Sequence, residues 1–108
     1  MLTKKNLNKI KKELANQKNQ LPYFFDVLAD EGRFRIFKLL MKYKGLCVSD
    51  IANILEITAS AACQQLRILE RMAFIKRTRM GQKVCYELNK QDLIIKNLIN
   101  LIKKVDKN

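Results

Sequence analysis

Apolar positions recur with two different periods along the chain, and the change of period divides it into three stretches. Within residues 1–21, Leu7, Ile10, Leu14 and Leu21 are spaced three, four and seven apart, a seam-like stripe on an otherwise polar helix. Pro22 marks the break after it. Tyr23 to Ala29 reads as a short helix, and Asp30 is the predicted N-cap of a longer one over Glu31–Lys42. On that helix Phe34, Ile36, Phe37, Leu39, Leu40 and Met41 flank Lys38 in a wide apolar surface, closed off by Gly45. Cys47 or Ser49 begins a further helix through Leu55 that buries Ile51, Ile54 and Leu55. After Glu56-Ile57, Thr58 caps a helix running to Arg71 or Met72. Two short helices so closely joined have the shape of a helix-turn-helix.

From Phe74 the period drops to two. One strand ends near Arg79, Met80-Gly81-Gln82 turns, and Lys83 to Leu88 alternates, with Val84, Tyr86 and Leu88 expected inward and Lys83, Cys85 and Glu87 outward. Gly81 supplies the positive φ that a tight hairpin needs. Residues 89–108 form a last helix, capped by Asn89 or Asp92, with Leu93, Ile94, Ile95, Leu98, Ile99, Leu101, Ile102 and Val105. So many large aliphatics exceed what one face of a small core absorbs, and left bare they would form an oversized apolar patch. The predicted remedy is a twofold homodimer in which first and last helices pair, through Leu7, Ile10 and Leu14 and through Ile94, Ile95, Leu98, Leu101, Ile102 and Val105. The fold class is therefore mainly α with a small β-hairpin wing (α+β): a winged helix-turn-helix occupying residues 1–108 as a single domain.

Composition narrows the chemistry. The 108 residues suit one domain, expected to expose roughly 6,200 Å² of the roughly 18,400 Å² of the unfolded chain. Lys and Arg total 22 against 10 acids, a net +12, with 48% apolar residues: a folded, basic object whose field favours polyanions. There is no His, which removes Ser–His and Cys–His nucleophile pairs and every His-containing zinc site. No pair of acids stands at an evident catalytic spacing, so no enzyme, cofactor or metal is expected. Cys47, Cys63 and Cys85 lie far apart without a C-x-x-C pattern; their odd number and the lack of a secretory leader predict reduced thiols in the cytoplasm. No apolar run is long enough to span a bilayer.

The helix after Thr58 carries the sharpest signal. Ala62, Leu66 and Leu69 recur at core spacing, which turns Ala59, Ser60, Cys63, Gln64, Arg67 and Arg71 to the opposite side. Gln pairs bidentately with adenine and Arg with guanine in the major groove, and Ser bonds bases or phosphate. Thr58, Ala59, Ser60, Cys63, Gln64 and Arg67, with Gln65 on the flank, are the predicted DNA-reading set. Lys76, Arg77, Arg79 and Lys83, with Gln82 at the hairpin tip, suit phosphate contact; residues 64–83 hold six cations and one acid. The six lysines of residues 1–21 read as a solubilising face.

Four segments resemble one family. Leu28-Ala29-Asp30-Glu31-Gly32-Arg33-Phe34-Arg35-Ile36 resembles the L-A-D-P-T-R-L-R-I-L signature of ArsR/SmtB-type winged-helix repressors. Leu46 to Ala52 is similar to L-C-V-C-D-L-A, Thr58 to Leu66 to S-Q-S-x-V-S-x-H-L, and Gly81 to Leu88 to G-x-x-V-x-Y-x-L. The resemblance covers residues 25–89 in the family's order. It implies a homodimeric transcriptional repressor that binds a pseudo-palindromic double-stranded DNA operator and lets go when an effector arrives, with Ala59, Ser60, Cys63, Gln64 and Arg67 at reading positions. The departures concern sensing. Metal-responsive members use both cysteines of C-V-C, whereas Ser49 replaces the second here; others bind zinc with His, which this chain lacks. The effector is expected to be something other than zinc, with thiol modification at Cys63, or a Cys47/Cys85 pair, as candidates. The competing class is a winged-helix interaction module that binds protein, or nucleic acid without operator specificity. A membrane-surface role for the first helix ranks lower, since that helix has no large aromatic anchors.

Overall fold

The computed structural model describes residues 1–16 and 20–107, which form α1 (Lys4–Asn16), α2 (Leu21–Ala29), α3 (Glu31–Lys42), β1 (Leu46–Cys47), α4 (Val48–Leu55), α5 (Ala59–Arg71), β2 (Ile75–Met80), β3 (Lys83–Leu88) and α6 (Leu93–Asp106). The stretch 17–19 of the predicted first helix, with Lys18, lies outside the described residues. Leu21 and Pro22 open α2 rather than close the helix before it. In a first turn, the proline's missing N–H has no helical acceptor to lose.

Local capping follows the sequence. Asp30 Oδ2 accepts from the Arg33 N–H at 3.0 Å and starts α3. Cys47, not Ser49, caps α4: its N–H and its Sγ–H donate to Asp50 Oδ2 at 3.0 and 2.9 Å. These two bonds, the thiol's first, hold the Asp50 carboxyl below its ordinary range. Asp92 Oδ1 starts α6 by accepting from Ile94 and Ile95 N–H at 2.8 and 3.2 Å.

The core joins α3, α4, α5, the strands and α6 around Phe74, whose ring stands 5.4 Å from that of Phe24 and 6.0 Å edge-on from that of Phe37. Ala62, Leu66 and Leu69 are buried as their spacing required. On α4 the buried side is Ile51 and Ala52, flanked by half-buried Val48 and Leu55. Ile54, expected inside, is 51% exposed because it lies about 110° around the helix from the middle of that face.

The sheet has the order β1-β3-β2, all antiparallel. Met80 faces Lys83 across the two-residue turn Gly81-Gln82, with Gly81 at φ +65°. The two-residue β1 pairs on the other edge of β3, Leu46 with Tyr86 and Cys47 with Cys85, so the middle strand has neighbours on both sides. This overturns part of the expected alternation. Cys85 is 3% exposed, covered on the side where Cys47 lies against it, while Val84, one pair from the turn, is 36% exposed. Tyr86 and Leu88 are half-buried and buried, as expected.

Along α6 the aliphatics divide into two stripes. Ile95, Ile99 and Ile102 are buried in the protomer's own core, which removes Ile95 and Ile102 from the expected interface set. Ile94, Leu98, Leu101 and Val105, also spaced four, three and four apart, face outward, half-buried or exposed. On α1 no residue is buried; Leu7, Ile10 and Leu14 all lie open. The molecule measures 63 × 31 × 26 Å with a radius of gyration of 18.3 Å, against about 13 Å for a compact chain of this length.

Glu56 (φ 56°), which ends α4, and Ala73 (φ 62°), between α5 and β2, hold left-handed backbone that costs an L-residue about 1–2 kcal/mol. Glycine removes that cost and returns part of it as chain entropy. Glu56→Gly and Ala73→Gly are each expected to raise the free energy of unfolding by roughly 0.5–1 kcal/mol. Urea titration measures this directly, and a loss of stability in both would contradict the assigned turns.

Candidate nucleic-acid interface

Thr58 uses its side chain locally: Oγ1 accepts from the Ala61 N–H at 3.0 Å and fixes the direction in which α5 leaves the turn. With Ala62, Leu66 and Leu69 seated, Ala59, Ser60, Cys63, Gln64, Arg67 and Arg71 are all exposed. One helix face thus presents a hydroxyl, a thiol, an amide and two guanidinium groups, a set rich in directional donors.

The strand register decides where the hairpin cations point. Arg77 lies opposite Tyr86 and Arg79 opposite Val84, so these four share a face; Lys76, Met80, Lys83 and Cys85 belong to the other. Arg77 Nε donates to Glu70 Oε2 on α5 at 2.7 Å, which ties the root of the hairpin to the helix. Lys76 is engaged by Glu87 at 3.4 Å. Gln82 and Lys83 stand exposed at the tip. Tyr86 lies in the angle between helix and hairpin, where Glu70, Arg77, Cys63 and Arg67 all act on it. Burial, then the Glu70 carboxylate, raises its phenol above the ordinary 10, so at neutral pH it is an O–H donor. The structure therefore brings Cys63 and Arg67 together with Arg77 and Tyr86, and turns Lys76 and Lys83 away from them.

Gln65 does not stand on the outer face. Its Oε1 accepts from Arg33 Nη1 at 3.1 Å and its Nε2 donates to Asp30 Oδ2 at 3.0 Å, while Arg33 Nε donates to the Val27 carbonyl at 2.7 Å. Both ends of the amide are thus occupied, and the side chain is a clamp between α5 and the α2–α3 corner. Gly32 makes the room: a Cβ there would come within 3.0 Å of Gln65 Nε2. Asp30, Gly32 and Arg33 escaped a reading based on helix faces, although Asp30 and Arg33 were visible as the D and R of the L-A-D-P-T-R resemblance.

Two further sets complete the map. Cys63 is exposed on α5, whereas Cys47 and Cys85 are half-buried and buried at one rung of the sheet. Beside Cys47 the donors are the Asp50 carboxylate and the Ser49 hydroxyl, and among the described residues no three of His, Cys, Asp and Glu gather as a metal ion requires. Leu21, Phe24, Phe25, Ile94, Leu98 and Leu101 border a shallow groove of about 210 Å³ between α2 and α6, continuous with the outer aliphatic stripe.

A family described as "Bacterial regulatory protein, arsR family" matches residues 30–77, from the α3 cap through α5 into β2. A Staphylococcus aureus protein, a cadmium resistance transcriptional regulatory protein CadC homolog, is 34% identical over 94 residues, which cover 86% of this chain and 76% of that protein. A Synechocystis transcriptional repressor SmtB homolog is 38% identical over 73 residues, 68% of this chain; the chain spans 54% of that relative's length. Among solved structures, reduced HlyU from Vibrio cholerae superposes with a TM-score of 0.71 at 25% identity, covering 90% of this chain and 95% of that one.

The raised phenol also fixes a pH dependence. Folded Tyr86 holds its proton above the pH at which the unfolded chain loses it, so its contribution is complete below about 10 and fades as pH rises through the folded value. The stability of the native sequence relative to Tyr86→Phe should therefore decline above pH 10. A difference that stays flat or grows in alkaline denaturation curves would place the ring elsewhere.

Proposed function

The chain belongs to the arsR family of bacterial regulatory proteins, and from that premise we propose that it is a homodimeric repressor, reading an operator with α5 and holding the flanking phosphates with the β2–β3 wing. It is a DNA-binding transcriptional regulator and not an enzyme. The observation that carries the proposal is the joining of two surfaces: the hydroxyl–amide–guanidinium face of α5 and the Arg77–Arg79 face of the hairpin, coupled through Glu70. Phosphate contact supplies salt-dependent affinity, and base edges supply discrimination. In this arrangement Ser60, Gln64 and Arg67 meet base edges, Ala59 and Cys63 line the approach, and Arg79, Gln82 and Lys83 reach the backbone. Thr58 acts through its cap, Gln65 through its clamp, and Arg77 through the hold it gives Glu70.

Dimerisation is supported by area. The described protomer exposes 8393 Å², about 2,200 Å² more than a compact monomer of its mass. The excess is of the size that a homodimer interface covers. Among the apolar side chains that stand open are Leu7, Ile10 and Leu14 on α1, and Leu101 and Val105 on α6. A twofold axis through these helices repeats α5 at a fixed spacing, as an inverted repeat in DNA demands. On this reading the protein acts in the cytoplasm on a double-stranded DNA operator. No helix among the described residues is long and apolar enough to cross a membrane.

We take the effector to be something other than zinc, because a serine, Ser49, stands beside Cys47 where a second thiolate would serve a soft metal. Cys63 offers another route, because a group attached to its sulfur stands where α5 would enter the groove.

Genomic fragments captured by the full chain should share one inverted repeat. Gln64→Ala and Arg67→Ala should each weaken binding to it by roughly 1–3 kcal/mol, leaving affinity for random DNA far less changed. Equal affinity for the captured and random sequences would instead favour an interaction module without operator specificity. Sedimentation supplies a separate check: Leu101→Glu, which sets a charge in the outer α6 stripe, should convert the dimer to monomer, and a native chain that sediments as a monomer would remove the twofold reading.

A further inference from the structure

Cys47 and Cys85 are not accounted for by DNA reading, and they lie at one rung of the β1–β3 ladder. Directly opposed residues of antiparallel strands project to the same side of the sheet, with Cα atoms about 4.5–5.5 Å apart. A disulfide requires about 4.4–6.8 Å between Cα atoms, so the register brings this pair into the range that a disulfide spans. Cys63, the third cysteine, stands exposed on the outer face of α5.

The two thiols are unequal. Cys47 is half-buried at the edge, its Sγ bonded to Asp50 Oδ2 at 2.9 Å and to Ser49 Oγ at 3.2 Å, while Cys85 is 3% exposed. A reagent from solution therefore meets Cys47 first. To join Cys85, the Cys47 sulfur has to give up its bond to Asp50. The helix keeps its other N-terminal bond, from the Cys47 N–H to Asp50.

We propose that Cys47 and Cys85 form a two-electron dithiol site, oxidised to an intrachain disulfide by a hydroperoxide. The Cys47 sulfur attacks the peroxide as its thiol proton is given up: an S–O bond forms, the O–O bond breaks, and the departing alkoxide or hydroxide takes up that proton, leaving a sulfenic acid. The Cys85 thiol then attacks that sulfur; the S–S bond forms, the S–O bond breaks, and the Cys85 proton leaves with the departing oxygen as water. Two electrons pass from the sulfurs to the peroxide. The product joins β1, the residue pair that opens α4, to the central strand of the wing, and a dithiol reductant reverses it. This inference rests on strand register and goes beyond the operator reading, so either stands without the other.

The test treats the full folded chain with stoichiometric hydrogen peroxide. Free thiols should fall from three to one, the intact mass should drop by about 2 Da from the loss of two hydrogens, and a digest should show the peptides of Cys47 and Cys85 joined until dithiothreitol is added. Cys63→Ser should still form the link, with no thiol left. In Cys85→Ser the reaction should stop at Cys47 sulfenic acid, which dimedone traps; should that buried substitution fail to fold, Cys47→Ser, with serine in a capping position it favours, should leave the Cys85 thiol intact under the same treatment. A link through Cys63, a link between chains, or a lasting dimedone adduct on Cys47 of the native sequence overturns the proposal.

Discussion

What the outward face of α5 presents depends on the burial of the opposite stripe. Ala62, Leu66 and Leu69 leave almost no surface to water, and a fully buried leucine contributes about 1.5–3 kcal/mol. That burial fixes the helix's rotation, since a turn of one residue would draw Cys63 or Arg67 into the core. Two polar ties then hold it in place. Gln65 binds the α2–α3 corner from the middle of the helix, and Glu70 binds the hairpin near its C-terminal end. A helix held in this way by an apolar seat and two side-chain ties keeps Ser60, Gln64 and Arg67 at set positions relative to the wing, and discrimination between base pairs requires that constancy.

The parts legible in the sequence are those set by local periodicity and caps. Asp30 and Thr58 cap the helices they were expected to cap, the α5 stripe faces inward, and the hairpin turns at Gly81. The parts that were not legible all depend on a partner distant in sequence. Cys85 looked outward because β1 is two residues long, too short to show a period, yet its pairing covers that side of β3. Gln65 looked like a flanking reader because its partners Asp30 and Arg33 lie more than thirty residues earlier. Ile95 and Ile102 could not be separated from Ile94, Leu98, Leu101 and Val105 by hydrophobicity, since α6 is aliphatic on both sides and only the body it rests on divides them. Ile54 shows the same limit on a shorter helix.

The clamp also gives the family resemblance a physical content. Of L-A-D-P-T-R, Asp30 and Arg33 are the two side chains that hold Gln65. Where the pattern has a threonine this chain has Gly32, and any Cβ there would press on the Gln65 amide. The departure and the contact thus explain one another: a glutamine can be drawn between α3 and α5 because the position beside it has no side chain. Ser49, where the pattern has a second cysteine, bonds the Cys47 sulfur instead of joining it as a donor to a soft metal.

Charge by itself does not separate an operator reader from a general DNA binder. A net +12 chain would adhere to any duplex, with an affinity that falls steeply with salt. What separates them is the distribution of the charge. Lys76 and Lys83 lie on the hairpin face turned from α5, where Lys76 is held by Glu87 and Lys83, at the tip, is left for phosphate. On the face of α5 itself the exposed groups are Ser60, Cys63, Gln64, Arg67 and Arg71, with no lysine among them. Amide and guanidinium groups in fixed orientation match the paired acceptors and donors of base edges, whereas an ammonium on a flexible stem serves any phosphate equally. A surface selected only for general affinity has no need to put its directional groups on the one helix whose rotation the core, the clamp and the Glu70 tie all hold.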